Sequence, residues 1–189
     1  MKGSISKRNT VGFTLIELLI TIAVGAIIIS MAASSFNEVI YSTKLKTARG
    51  MLVNALRVAQ HQAQYRSIPV ALCPSKNTST CATSWSEDTT GWLVYEDHNR
   101  DGDLDSTDNI IAIEQKIKVG NIKIVHGDTA ITTPQVLFIP TGHKDGEEQS
   151  EISLCSESDE TNIYTVVKIS TTGKVKYENI KVGTGDECN

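Results

Sequence analysis

Residues 12–33 read GFTLIELLITIAVGAIIISMAA, an apolar run interrupted by a single charge, the acid Glu17. At about 1.5 Å of rise per residue, a helix from Phe13 to Ala33 covers the roughly 30 Å hydrocarbon core of a bilayer. A carboxylate in such a run is costly, so it reads as a functional residue that awaits a positive partner. Lys7 and Arg8 stand just before the run, which places residues 1–12 on the cytoplasmic side. An ordinary secretory signal has a shorter apolar region ending at a small-residue cleavage site. Ala32-Ala33-Ser34-Ser35 imitates such a site, but the run before it is too long and holds an acid. A plain anchor explains the length and the basic flank, and leaves Glu17 unexplained.

Beyond Ala33 the helical pattern continues. Val39, Ile40, Thr43, Thr47, Ala48, Met51, Leu52, Ala55, Val58, Ala59 and Gln62 recur at three- and four-residue steps, with Lys44, Lys46, Arg49, Asn54 and Arg57 between them. No proline intervenes before Pro69. The spacing predicts one helix from Phe13 to Tyr65 or Arg66, apolar all round over residues 13–33 and amphipathic over 34–66. After Pro69 come short strand-like runs: 70–73, 91–96, 110–114, 122–125, 135–139, 151–155, 164–169 and 174–177. Their alternation and turn-rich spacing predict antiparallel sheets over residues 67–189. A helix followed by sheets is an α+β fold, with the helix stripe packed on a sheet. Trp85, Trp92 and Tyr95 are expected to fill the layer between them.

Lys7, Arg8, Gly12, Phe13, Thr14, Leu15, Ile16, Glu17 and Leu18 together resemble the processing signal of type IV prepilins and pseudopilins. The resemblance implies a pilin-like fold, a leader over residues 1–12, and cleavage by prepilin peptidase between Gly12 and Phe13, with methylation of the new amine. It implies that Glu17 meets a neighbouring subunit's terminal amine during assembly. Asn54–Val70, Leu72-Cys73-Pro74, Trp85, residues 91–95, 97–102, 138–142 and 169–173 further resemble the FimT/FimU/GspH group of minor pilins and pseudopilins. That likeness implies partners among minor and major pilins, contacted through N-terminal helices. It also implies residence in the inner membrane with the C-terminal domain in the periplasm, followed by entry into a pilus or pseudopilus. Two alternatives stay open: a DNA-binding minor pilin for transformation, and a pseudopilin of type II secretion.

The net charge is −4, and the leader holds Lys2, Lys7 and Arg8, so a chain beginning at Phe13 carries −7. A broadly basic nucleic-acid surface is thereby excluded. Cys73, Cys81, Cys155 and Cys188 all follow the apolar run, and an even count in a translocated domain predicts disulfides. Three pairings exist for four cysteines. Proximity favours Cys73–Cys81, with Cys155–Cys188 tying down the tail. Zinc is the alternative, opposed by the lack of a C-x-x-C or a close histidine pair. His61, His98, His126 and His143 are scattered, and no nucleophile elbow or phosphate loop is present, so no enzyme is expected.

Residues 97–108 fit the spacing of a calcium loop, with ligands from Asp97, Asn99, Asp101, Asp103, Asp105 and Asp108 and a glycine at the bend. The last ligand is Asp in place of Glu, and strands flank the loop. The alternative is a solvated acidic turn that binds no ion. Gly173-Lys174-Val175-Lys176 resembles the G-R-x-R motif through which some FimT proteins bind DNA, with lysines in place of arginines. Lys174 and Lys176 would share one strand face toward phosphates, or guard a sheet edge.

Overall fold

The computed structural model describes residues 13–77, 79–85, 91–115, 122–126, 135–156 and 162–183; the side chains of residues 30–38, 115, 122–126, 162 and 182–183 lie outside the description. One helix, α1 (Leu15–Arg66), opens the chain. The chain divides into two compact units, Met1–Val39 and Ile40–Asn189.

In the first unit Thr14 caps the helix, its Oγ1 accepting the Glu17 N–H at 3.3 Å. Thr14 and Glu17 occupy the N-cap and third positions of a capping-box sequence, where the acid also meets the positive end of the helix dipole. The apolar side chains that follow are exposed on every face, from Leu15 and Ile16 to Ile28 and Ile29. Among the described residues no helix is long and apolar enough to cross a membrane. The end of the expected span, from residue 30 onward, falls on undescribed side chains.

In the second unit α1 lies against two antiparallel sheets. The first contains β1 (Val70–Ser75), β2 (Gly91–Glu96), β3 (Asn109–Gln115) and β5 (Val136–Phe138), in the order β3-β2-β1-β5. The second contains β4 (Ile122–His126), β6 (Ser150–Ser156), β7 (Asn162–Ile169) and β8 (Val175–Tyr177) in chain order, and β9 (Lys181–Gly183) pairs with β7. The helix stripe that enters the core is Leu45, Ala48, Leu52, Leu56, Ala59 and Ala63, all fully buried. It meets Val70, Leu72, Trp92 and Val94 of the first sheet and Ile152, Leu154, Val167 and Ile169 of the second.

This stripe is rotated from the expected one. Met51 is 39% exposed, and with Ala55 and Val58 it lines a groove beside β3. The expected set mixed two adjacent faces, and only the face with alternating leucine and alanine fits under both sheets.

Strands β1 and β2 are buried along their whole length. Val70, Leu72, Trp92 and Val94 face the helix, whereas Ala71, Cys73, Leu93 and Tyr95 form a second cluster on the opposite face. Tyr95 therefore does not sit between sheet and helix, as expected; it belongs to this outer core. Trp85 and Trp92 do join the helix-side cluster.

Polar side chains fix the helix at several levels. Arg49 lies 4.2 Å over the Tyr177 ring and donates to the Glu178 carbonyl at 3.0 Å. Gln60 donates to the Gly142 carbonyl at 2.7 Å. At the helix end Arg66 Nε pairs with the buried Glu96 carboxylate at 2.9 Å, and His98 Nε2 approaches the other oxygen at 3.3 Å. Ser67 then takes the left-handed conformation, φ 57°, that ends many helices.

Two turns meet beneath Gln60 and Gln64. Gly142 and Gly173 have φ of 82° and 77°, and a Cβ on Gly173 would lie 2.0 Å from the Gly142 carbonyl oxygen. Gly173→Ala is expected to cost about 2 kcal/mol or more, from left-handed strain plus the clash. Urea unfolding followed by tryptophan fluorescence measures this; a midpoint equal to that of the unaltered chain would contradict the packing role.

Candidate functional site

The assembly residues lie at the start of α1. Phe13 is 80% exposed, and Glu17 is exposed one turn into the helix with its backbone N–H on Thr14. Gly12 and the rest of residues 1–12 lie outside the described residues. The Glu17 carboxylate stands near one helix end, and the other residues from Phe13 to Ile29 are uncharged and mostly Leu, Ile, Val and Ala. In a water-poor setting it needs a counter-charge, because desolvating an unpaired ion costs several kcal/mol.

The acidic loop is held mainly by its own hydrogen bonds. The buried Asp97 carboxylate accepts the N–H groups of Arg100 at 2.7 Å and Gly102 at 3.1 Å. Asp101 accepts the Asp103 N–H at 2.9 Å, and Asp108 accepts those of His98 and Asp105 at 2.9 and 3.1 Å. The Asn99 amide donates to Asp101 and Asp105. The Gly102 carbonyl accepts both the Tyr95 hydroxyl and the Gln135 amide at 2.7 Å. Leu104 joins the outer cluster with Tyr95. The loop thus covers the outer core of the first sheet.

Burial pushes the Asp97 carboxyl above its usual range, opposed by the Arg100 and Gly102 N–H groups. Burial, with the Asp97 charge beside it, also raises the Tyr95 hydroxyl. For Asp105 the Thr107 hydroxyl and N–H lower the carboxyl. Among the described residues no group of three or more His, Cys, Asp or Glu side chains is arranged to hold a metal ion. Asp97, Asn99, Asp101, Asp103, Asp105 and Asp108 are brought together as a hydrogen-bonded turn, with no convergent ligand set.

Lys174 and Lys176 are exposed, and neither forms an ion pair with a described residue. Strand alternation places them opposite Val175 and Tyr177, which face the helix. Lys176 lies across from Lys168 in the ladder. The Lys168 ammonium is engaged by Glu151 at 3.0 Å and Glu178 at 3.1 Å. Gly173, which opens the lysine motif, is accounted for by the contact with Gly142. Sequence reasoning missed that contact, although Gly at corresponding ends of the two similar segments 138–142 and 169–173 was a usable signal.

Cys73 and Cys81 form a disulfide with Cα atoms 5.6 Å apart, as proximity predicted. Cys155 is also disulfide-bonded. Cys188 lies outside the described residues.

The GspH family, described as type II transport protein GspH, matches residues 50–173. The prokaryotic N-terminal methylation motif matches residues 8–33. No curated protein sequence matches the chain. Two crystal structures of the type IV minor pilin FimU of Pseudomonas aeruginosa share the fold. The first, in space group P21, has 13% identity and a TM-score of 0.57 over 78% of this chain and 96% of that one. The second, in space group P65, has 14% identity and a TM-score of 0.53 over 77% and 100%.

Hydrogen bonds from Lys181 and Lys168 hold the Glu178 carboxyl below the usual glutamate range. A lowered folded pKa contributes stability that is present above the ordinary glutamate pKa and lost as pH falls through the lowered value. Lys168→Gln is expected to shift the Glu178 titration back upward, measured by carboxylate carbon NMR. An unchanged titration would show that Lys168 does not lower the Glu178 pKa.

Proposed function

The chain belongs to the GspH family of minor pilins and pseudopilins, and from that membership we propose a subunit that is cut after Gly12, methylated at Phe13, and drawn from the inner membrane into a pilus. In the pilus it primes assembly or forms part of the tip. The observation that carries this reading is the first half of α1: an apolar helix exposed on all sides, with one acid near its capped end. A helix of this kind is stable only in lipid or among other helices. Lipid suits it before assembly, and a bundle of like helices suits it afterwards.

Glu17 gives the two environments different energies. In the membrane its charge is costly and has no partner within the chain's own apolar run. In the bundle it would pair with the amine of Phe13 on a neighbouring subunit. That pair relieves part of the desolvation cost and fixes the axial register, since a shift by one helical turn separates the charges by about 5 Å. A role in type II secretion uses the same chemistry. The DNA-binding alternative rests on Lys174 and Lys176, two exposed lysines that lack the arginine fork for bidentate phosphate contact.

Glu17→Leu is expected to leave membrane insertion and cleavage intact and to reduce the amount of this chain in sheared filaments by at least about tenfold, the equivalent of 1.4 kcal/mol. Immunoblots of membrane and filament fractions measure both quantities. Normal filament levels would eliminate the pairing mechanism.

A further inference from the structure

Lys46, Gly50, Val53 and Arg57 recur at four-, three- and four-residue steps and so share one stripe of α1. With Arg49, Asn54 and Tyr177 they line an open cleft of about 330 Å³. No acidic side chain appears among its described lining residues. Lys46 and Arg57 are exposed and form no ion pair or hydrogen bond with a described residue. They stand about 16 Å apart along the helix axis. Arg49 lies between them in the chain, 4.2 Å over the Tyr177 ring, and its Nη1 donates to the Glu178 carbonyl and the Thr165 hydroxyl. Its Nε and Nη2 donate to no described residue, so a guanidinium fixed in place keeps donors for a ligand. In a chain of net charge −4 this concentration of positive charge runs against the average surface.

The floor of the cleft holds a glycine that the subunit itself does not need. Gly50 lies inside α1, where glycine is the least favourable residue after proline. Unlike Gly142 and Gly173 it has no positive φ, and a Cβ built on it would meet nothing within 4 Å. A larger residue would therefore fit the described subunit and favour the helix. What the missing side chain leaves is bare helix backbone amid three cations, open to close approach by another chain. Arginine and tyrosine beside the buried Val53 are also the composition of a protein interface. A nucleic acid suits the cleft less well. Arg49 already stacks on Tyr177, the one aromatic ring among the described lining residues, and the negative chain repels a polyanion at long range.

We propose that this cleft takes a carboxylate-bearing segment of a different pilin subunit, in a contact separate from that of the N-terminal helices. Lys46, Arg49 and Arg57 meet its carboxylates, and its backbone crosses α1 at Gly50. A subunit that primes assembly or forms part of the tip has unlike neighbours, which makes the occupant a different chain instead of a second copy. The proposal rests on the reading of the chain as a filament subunit.

Photo-cross-linking in the assembling cell tests it without removing a charge. The full-length chain, with a benzophenone amino acid in place of the exposed Asn54, replaces the cell's own copy. Filament content of the unaltered chain is measured in parallel. The expected product is a cross-link to another pilin subunit, through a peptide that mass spectrometry shows to contain Asp or Glu. Arg57→Glu should reduce that product at least about tenfold, since like charges across an interface are strongly disfavoured. Changing the partner's mapped carboxylate to lysine should restore part of it. Gly50→Leu should reduce it as much while the thermal midpoint of the subunit holds or rises, because leucine favours the helix. A midpoint that falls would assign Gly50 to packing within the chain and overturn the proposal. So would cross-links only to a second copy, to nucleic acid or to a peptide without acids, and so would a product indifferent to Arg57→Glu or Gly50→Leu. If no cross-link forms while the chain still reaches filaments, the contact fails and the filament reading stands. Absence of the unaltered chain from filaments overturns that reading, and the contact with it.

Discussion

Exposed apolar surface at the start of α1 is the constraint on which the rest depends. Each Leu, Ile or Phe left in water forgoes about 1.5–3 kcal/mol relative to burial. Summed over the exposed large side chains between Phe13 and Ile29, the deficit is comparable with the roughly 5–15 kcal/mol net stability of a typical domain. No described residue of that unit covers these side chains, so they call for an apolar environment from outside. In the proposed filament Glu17 would decide between the two environments, since lipid offers it no counter-charge and a neighbouring subunit's amine would.

The second unit solves the opposite problem, securing the other half of the same helix in a small globular core. Leu45, Leu52 and Leu56 supply the apolar contact, and Ala48, Ala59 and Ala63 let the sheets approach closely. Arg49, Gln60 and Arg66 add polar fixings at three levels, one of them to the buried Glu96. The Gly142–Gly173 contact brings two turns together under Gln60, so the lysine-bearing strand β8 starts from a fixed point. The acidic loop covers Tyr95 and closes the outer face of the first sheet.

Much of this was legible in the sequence because its signals are local. The long helix follows from uninterrupted periodicity, and the eight expected strands all appear, because alternation and turn residues bound them. Cys73–Cys81 follows from proximity. Features set by tertiary packing were not legible. The helix stripe contained two plausible faces, and only the presence of two sheets selects Leu45, Leu56 and Ala63 over Met51 and Val58. Tyr95 alternates with Trp92 and Val94, yet which face carries a second core depends on the loop folding over it. Strand β9 is only three residues long and offers no pattern. The 97–108 spacing suits a calcium loop, but the same Asp, Asn and Gly residues bond backbone N–H groups just as well.

A subunit processed as proposed enters the filament with Phe13 as its first residue. Intact-mass spectrometry of the chain recovered from sheared filaments tests this most directly. The expected mass begins at Phe13 with one added methyl group. A chain that retains Met1–Gly12, or one that is never recovered with the filaments, would contradict it.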